Sequence, residues 1–267
     1  MQDMRKFSVF KRGRFPDTQR WAPERTVVAT ESVVHLVQRH IDLKDGTPLR
    51  RYVDLPKYID LLRSQSLYLR RADRFADKFE GALTPAIRKA INAAHARNSL
   101  SESAEDFYRR CRMGTFVSCW SLGAKDNMAL WQLYGGASTS LTINTTVGRL
   151  TTACDSWAES VLIQKVRYID HFENPDMVIG HYTDPLQFKH QAYEFEREVR
   201  LMLPRQNDWE KNPEGMQRRL PSLDALITSV VVAPEAGAWF LELVEDVTQR
   251  YGLKAPVRMS ALAQLPA

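Results

Sequence analysis

Three residues near position 200 have types and spacing suited to chemistry: Glu196, Glu198 and Arg200. At i, i+2 and i+4 of an extended segment they share one face, because successive strand side chains alternate sides. Two carboxylates held together can divide acid and base work, or stabilise positive charge that develops in a transition state. An arginine beside them can orient a carboxylate or bind phosphate. The same pattern also describes an edge or solvent-facing strand, where an exposed Glu–Arg ladder contributes at most roughly a few tenths of a kcal/mol.

A second group lies earlier in the chain. Arg51 and Tyr52 pair a cation for an anionic ligand with a ring for stacking, or form a strand-end arginine over a half-buried tyrosine. Ser121 is a polar pocket candidate. Asp77 and Glu80 flank Phe79 and are read as capping the loop before Gly81, with a cleft-lining role as the alternative. Trp120, Trp131 and Tyr134 have the spacing of core packing, the last two on one helical face.

Other chemistries lack their motifs. There is no G-x-S-x-G elbow, and no histidine stands at a recognisable partner spacing from Cys119 or a serine, which argues against a hydrolase triad. Walker A and G-x-G-x-x-G loops are both missing, so NTP hydrolysis and Rossmann-type dinucleotide binding have no support. Cys111, Cys119 and Cys154 are odd in number and widely spaced, as reduced thiols are. The six histidines show no HExxH or paired-ligand spacing, and no metal site is expected.

The elements that must position these residues read as one continuous fold, since 267 residues without repeats or long linkers suit one large core. The net charge of +5 is largely local. Residues 1–25 carry seven Lys/Arg against Asp3, Asp17 and Glu24, with Phe7, Phe10, Phe15 and Trp21 interleaved. Such a basic arm can follow a phosphate backbone and stack bases, or form a solvated tail. No apolar stretch is long enough to span a bilayer and no apolar leader follows Arg5 and Lys6, so a cytoplasmic protein with no membrane association is expected.

Hydrophobic periodicity fills in the rest. A strand within Ser32–Leu43 leads through the Lys44–Thr47 turn to a second strand over Leu49–Val53, a plausible hairpin. Pro56 opens a helix ending near Ser64, a short strand follows at Ser66–Leu69, and Thr84-Pro85 starts a helix burying Ile87, Ala90, Ile91 and Ala94. Further elements are a helix over Ala104–Arg112, a strand over Thr115–Ser121 and a helix capped by Asp126 or Asn127 that runs through Met128, Leu130, Trp131 and Tyr134 and is stopped by Gly135-Gly136. Strands follow at Leu141–Thr145 and Val161–Ile169. Beyond Glu198, Val199 and Leu201 face the core opposite Glu198 and Arg200. The chain closes with a strand over Ile227–Val232, a helix from Trp239 to Tyr251 and a strand near Val257. The fold class is therefore α+β: a basic arm (1–25) and a single domain (26–267) with a central mixed or antiparallel sheet flanked by helices.

Four blocks resemble one family: LLRSQSLYLRRADRFADKFEG (Leu61 to Gly81), FVSCWSLGAKDNMALWQLYG (Phe116 to Gly135), KVRYID (Lys165 to Asp170) and FEREVRLML (Phe195 to Leu203). In content and order they resemble DUF2971 proteins, with their FNDPFE-like turn, CFS-like strand and Met-Trp helix, and late E-x-E-x-R strand. Here Ala76 and Lys78 replace the turn's Asn and Pro, and the nearest match to the family's Tyr-basic-Tyr element is Arg50-Arg51-Tyr52. At one further remove the order resembles the ADP-ribosyltransferase layout. Arg51 stands for the early-strand residue that holds NAD, Ser118 to Ser121 for the Ser-x-Ser strand, and Glu196-Arg197-Glu198 for the catalytic E-x-E strand. The two serines are separated by two residues here rather than one.

That resemblance implies an NAD-using, ADP-ribosyltransferase-like enzyme that modifies a macromolecular acceptor, protein or nucleic acid, with a toxin or phage-defence role as the expectation that goes with it. It implies that Glu198 holds the nicotinamide ribose and stabilises an oxocarbenium-like transition state, Glu196 activates the acceptor and Arg200 orients a carboxylate or binds phosphate. Arg51, Tyr52 and Ser121 then form the NAD pocket. The competing expectation is a nucleic-acid-binding protein or nuclease, using the basic arm for phosphates and Asp77, Glu80, Glu196 and Glu198 for a metal. A catalytically silent interaction module is the third.

Overall fold

Most helices begin where a short polar side chain satisfies free backbone N–H groups. The Asp54 carboxylate accepts from the Lys57 N–H (2.8 Å) ahead of Pro56, Thr84 from Ile87 ahead of Pro85, and Asn127 from Ala129 and Leu130. The computed structural model describes residues 24–30, 33–173 and 177–264. Residues 1–23, which make up nearly all of the basic arm, lie outside the described residues, while Glu24 and Arg25 open the first strand.

The elements are β1 (Glu24–Thr30), β2 (Val33–Arg39), β3 (Pro48–Asp54), α1 (Leu55–Ser64), β4 (Ser66–Arg71), α2 (Pro85–Ala96), α3 (Ala104–Met113), β5 (Thr115–Leu122), α4 (Met128–Leu133), β6 (Ser140–Thr146), α5 (Val147–Cys154), β7 (Val161–Lys165), β8 (Arg167–Ile169), β9 (Phe188–His190), β10 (Glu198–Pro204), β11 (Gly215–Arg219), α6 (Leu223–Leu226), β12 (Ser229–Val232), α7 (Ala238–Arg250) and β13 (Val257–Met259). They build a large mixed sheet of order β1-β2-β7-β10-β5-β3-β6-β12-β13, with β4 joining β5 to β11, plus a small parallel sheet of β8 and β9. Helices cover both faces, as the α+β reading expects. No helix among the described residues is long and apolar enough to cross a membrane.

One face carries the main core. Val199, Leu201 and Leu203 of β10 and Trp120 of β5 meet Tyr58 and Leu62 of α1, Leu150 of α5 and Phe240 of α7. Each such fully buried apolar side chain stabilises by about 1.5–3 kcal/mol relative to exposure. The other face has smaller clusters: Tyr52 with Leu130 and Trp131 of α4, and Val117 and Met202 with Ala72 and Leu186.

Several sequence expectations need correction. The β2–β3 hairpin does not form: β2 pairs with β1 and β7, and β3 with β6 and β5. Two strands next to each other in sequence with a good turn are still free to pair elsewhere, because each has two edges that other strands of a large sheet can bond. The strand expected over Val161–Ile169 breaks at Val166, whose N–H donates to the Glu198 carbonyl, and Arg167–Ile169 leaves for the small sheet. None of the expected face of α2 is fully buried; Ile87 and Ile91 only pack against a minor cluster.

Candidate functional site

The sheet forks at β5. One edge of β5 is bonded along its whole length to β10. The other edge is shared, with β3 paired only at Ser121 and Leu122 and β4 only at Phe116 and Val117. The connection through α1 drives β3 and β4 apart.

Register places three polar residues in one row at the β3 end of this fork. Arg50 lies opposite Ser121, and Ser121 lies opposite Glu198. Directly paired residues share a face with Cβ atoms about 4.5–5.5 Å apart, so an arginine, a serine and a glutamate from β3, β5 and β10 stand side by side. The row continues through Asn144, opposite Arg50, to Ser229, whose hydroxyl accepts from Asn144 Nδ2 (2.9 Å).

Arg51 points the other way. Its cross-strand partner Ile143 belongs to the main core. Its guanidinium sits over the Trp120 ring, 5.9 Å from the centroid, and reaches the Tyr68 carbonyl (3.4 Å). Arg51 and Tyr52 are adjacent on a strand and so occupy opposite faces; they cannot grip one ligand together. Arg50 takes the place expected of Arg51. The alternation Leu49, Arg51, Val53 against Arg50, Tyr52 was the available signal. Ser118 and Ser121, three positions apart, likewise fall on opposite faces, and Ser118 Oγ is buried without a hydrogen-bond partner.

Glu198 and Arg200 are not on an edge. β10 lies between β7 and β5, and both side chains are buried. Glu196 is not on the strand at all: it ends a 3-10 turn (Gln191–Glu196), and Arg197 follows in the left-handed region with φ 47°. The three residues still meet, through ion pairs rather than strand alternation. Arg200 Nε and Nη2 donate to the two oxygens of Glu198 (2.9 and 3.0 Å). Its Nη2 and Nη1 also bond Glu80, and Nη1 donates to the Leu186 carbonyl (2.7 Å). Lys189 from β9 bonds Glu196 Oε2 and Glu198 Oε2, the latter at 3.3 Å. The Tyr134 hydroxyl donates to Glu196 Oε1 (2.8 Å).

The result is a buried chain: Glu80, Arg200, Glu198, Lys189, Glu196, Tyr134. Burial pushes the Glu198 carboxyl up, but Arg200 and Lys189 outweigh it and hold it down at about 2. Burial and then Arg200 act oppositely on Glu80, which ends above its ordinary value, raised further by Glu198. The Cys119 thiol, opposite Arg200, is pushed well up by burial and by Glu198, so it is a poor nucleophile. Three carboxylates face two cations, which leaves one negative charge in the chain, and Glu196 is its outermost carboxylate.

Glu196 lines a recess of about 110 Å3 together with Arg50, Tyr52, Ser121, Asn127 and Phe195. Glu198 does not line it. Tyr52 contacts Trp131 edge-on (4.8 Å, 84°) and its hydroxyl accepts from the Asn127 N–H (3.1 Å), fixing the roof at the start of α4. Within the recess Arg50 is already engaged: its guanidinium pairs with Asp126 and donates to the Ala124 carbonyl, while Nε is buried without a partner. Ser260 donates in turn to Asp126. A larger concavity of about 380 Å3 lies elsewhere, beside Arg110 and Trp209, and holds none of the candidate residues.

Sequence reasoning missed Arg50, Lys189, Asp126 and the Tyr134 hydroxyl that holds Glu196. Asp77 accepts from the Phe79 N–H (2.9 Å), a turn role consistent with its reading, and Glu80 is an ion-chain member. Among the described residues no group of three or more His, Cys, Asp or Glu is arranged to hold a metal ion.

No protein-family model matches this chain, and no curated protein matches it. Solved structures with some likeness include those of the Thermus sp. 2.9 DarT. In complex with carba-NAD+ it is 11% identical, over 82% of this chain and 97% of that one, with a TM-score of 0.39. In complex with ADP-ribosylated ssDNA the values are 10%, 82%, 96% and 0.39, and with NAD+ 9%, 81%, 96% and 0.39. Likeness at this level leaves the function to be argued from the chain's own residues.

Proposed function

We propose that this chain is an ADP-ribosyltransferase-like enzyme that uses NAD to modify a macromolecular acceptor, and that the recess at the β3–β5 fork is its site. The observation that carries this reading is the meeting of a guanidinium (Arg50), an aromatic ring (Tyr52), a serine (Ser121) and a carboxylate (Glu196) in one recess. All four blocks that resemble DUF2971 proteins contribute to it or to the ion chain behind it: Glu80 from the first, Ser121 and Tyr134 from the second, Glu196 to Arg200 from the fourth. From the third, the Tyr168 hydroxyl accepts the Glu198 N–H (2.7 Å). A toxin or phage-defence role is part of the same proposal.

The donor set fits the group in part. Arg50, with an unpartnered buried Nε, suits a pyrophosphate, and Tyr52 and Ser121 suit a planar amide ring. Ligand pockets usually measure roughly 300–1,000 Å3, so the recess as it stands takes a ring-sized portion of the dinucleotide, and Asp126 must yield Arg50 for the rest. NAD supplies an ADP-ribosyl group whose bond to nicotinamide breaks with the electron pair leaving on nicotinamide. Glu196 places fixed negative charge at the mouth of the recess, where positive charge develops on the sugar. Glu198, saturated by Arg200 and Lys189, holds that carboxylate's surroundings rigid. The division of labour thus differs from the layout's implication, with Glu196 meeting substrate and Glu198 behind it.

The nuclease alternative has less support, because Glu80, Glu196 and Glu198 are already engaged in ion pairs with Arg200 and Lys189. The test is incubation of purified protein with labelled NAD and cell lysate. Label transfer or nicotinamide release is expected from the wild type and its loss, by about 100-fold or more, from Glu196→Gln. No release from the wild type, or release unchanged in Glu196→Gln, overturns the proposal.

A further inference from the structure

We propose that Lys189 and Tyr134 are positioning residues that clamp the two oxygens of Glu196 separately and fix its direction for the reaction; this rests on the reading of the recess given above. Glu196 stands outside the strand ladder, in a 3-10 turn followed by a left-handed residue, so backbone pairing does not fix its side chain. Yet that side chain is only 6% exposed. What holds it is one partner per oxygen: the Tyr134 hydroxyl on Oε1 and the Lys189 ammonium on Oε2.

The two holders come from opposite sides. Lys189 is carried by β9 of the small sheet, and Tyr134 stands at the end of α4 in the roof of the site. Lys189 is itself anchored, with its ammonium 4.7 Å from the centroid of the Tyr193 ring and a second bond to Glu198, which Arg200 grips with two of its nitrogens. The rigid interior of the sheet is thereby transmitted to a carboxylate at its rim. Burial lowers the Lys189 ammonium, but Glu198 and Glu196 outweigh this and raise it above its ordinary value, so it stays charged. Burial and then Glu196 push the Tyr134 phenol up, so it remains a donor. The charged and titratable groups around Glu196 are Lys189 from β9, Tyr134 at the end of α4, Tyr168 from β8, and Glu198 and Arg200 from β10, with Arg50, Tyr52, Lys125, Asp126 and Arg197 lining the same recess.

Loss of orientation costs about 10- to 100-fold in rate. The experiment follows the carboxyl signals of full-length protein carrying 13C-labelled glutamate at one fixed neutral pH, with Glu196 assigned by its loss in Glu196→Gln. Lys189→Met and Tyr134→Phe are each expected to move and broaden the Glu196 signal, as a carboxylate released from a hydrogen-bond partner does. Both lower kcat for nicotinamide release, by about 10- to 100-fold in Lys189→Met, with KM for NAD little changed, and Lys189→Arg recovers part of the loss. A Glu196 signal unchanged in position and width in both Lys189→Met and Tyr134→Phe overturns the clamp whether or not the wild type is active. Tyr134→Phe alters only a partly exposed hydroxyl and keeps the test open if Lys189→Met fails to fold. A wild type that releases no nicotinamide while the Glu196 signal still changes in the variants overturns the transferase reading instead, so the two failures are told apart.

Discussion

Arg50 and Asp126 form an ion pair closed to water on both sides, with side chains 4% and 7% exposed. The carboxylate of Asp126 thus occupies the face of Arg50 that a ligand phosphate would need under the proposed function. On that reading binding would exchange one anion for another, with the loop before α4 moving to allow it.

Asp126→Asn follows directly. It removes the competing charge, so affinity for NAD or pyrophosphate should rise, by roughly 10-fold, as isothermal titration would read. Breaking a buried pair costs about 3–5 kcal/mol, so the melting temperature should fall in the same variant. A variant that gains no affinity contradicts the exchange.

The ion chain makes stability depend on pH. Glu198 is held at about 2, below its ordinary 4.5. A carboxyl depressed in the folded state stabilises above its unfolded pKa and loses that contribution as pH falls through the window from about 4.5 to about 2. At about 1.4 kcal/mol per unit this is worth about 3 kcal/mol. Denaturant unfolding of wild type and Glu198→Gln should differ by that order at pH 7, and the difference should shrink toward pH 2. A gap independent of pH would contradict the depressed carboxyl.

The two serines of β5 should behave differently. Ser118 has a buried hydroxyl without a partner on the face away from the recess, so Ser118→Ala should leave nicotinamide release unchanged and stability equal or slightly higher. Ser121→Ala should lower release, by roughly 10-fold. Equal effects would mean that the face assignment has no bearing on the reaction.

Tyr52→Phe removes the acceptor for the Asn127 N–H at the roof of the recess. Leaving that donor unmet should cost about 1–3 kcal/mol, read as a lower denaturation midpoint with an unchanged slope.

Much of the sheet is readable in the sequence because local signals decide it. Period-two alternation puts Val199, Leu201 and Leu203 on the main core, and Pro56, Thr84 and Asn127 mark helix starts that form as expected. Pairing is less readable: nothing near β2 or β3 reveals that they part to join β7 and β6. The row of Arg50, Ser121 and Glu198 depends on the register of strands up to about 150 positions apart, so choosing between Arg50 and Arg51 required the face each side chain takes. Lys189 sits in a three-residue strand with no periodic signal, and only the fold brings it to Glu196 and Glu198.

The most direct test is equilibrium titration of NAD against Arg50→Ala and Arg51→Ala, with both proteins checked for folding by circular dichroism. The recess at the fork predicts that Arg50→Ala loses binding by about 10- to 100-fold, as removal of a charge-assisted contact does, while Arg51→Ala binds as the wild type does. Loss in Arg51→Ala with binding intact in Arg50→Ala would contradict it and move the site to the other face of the sheet.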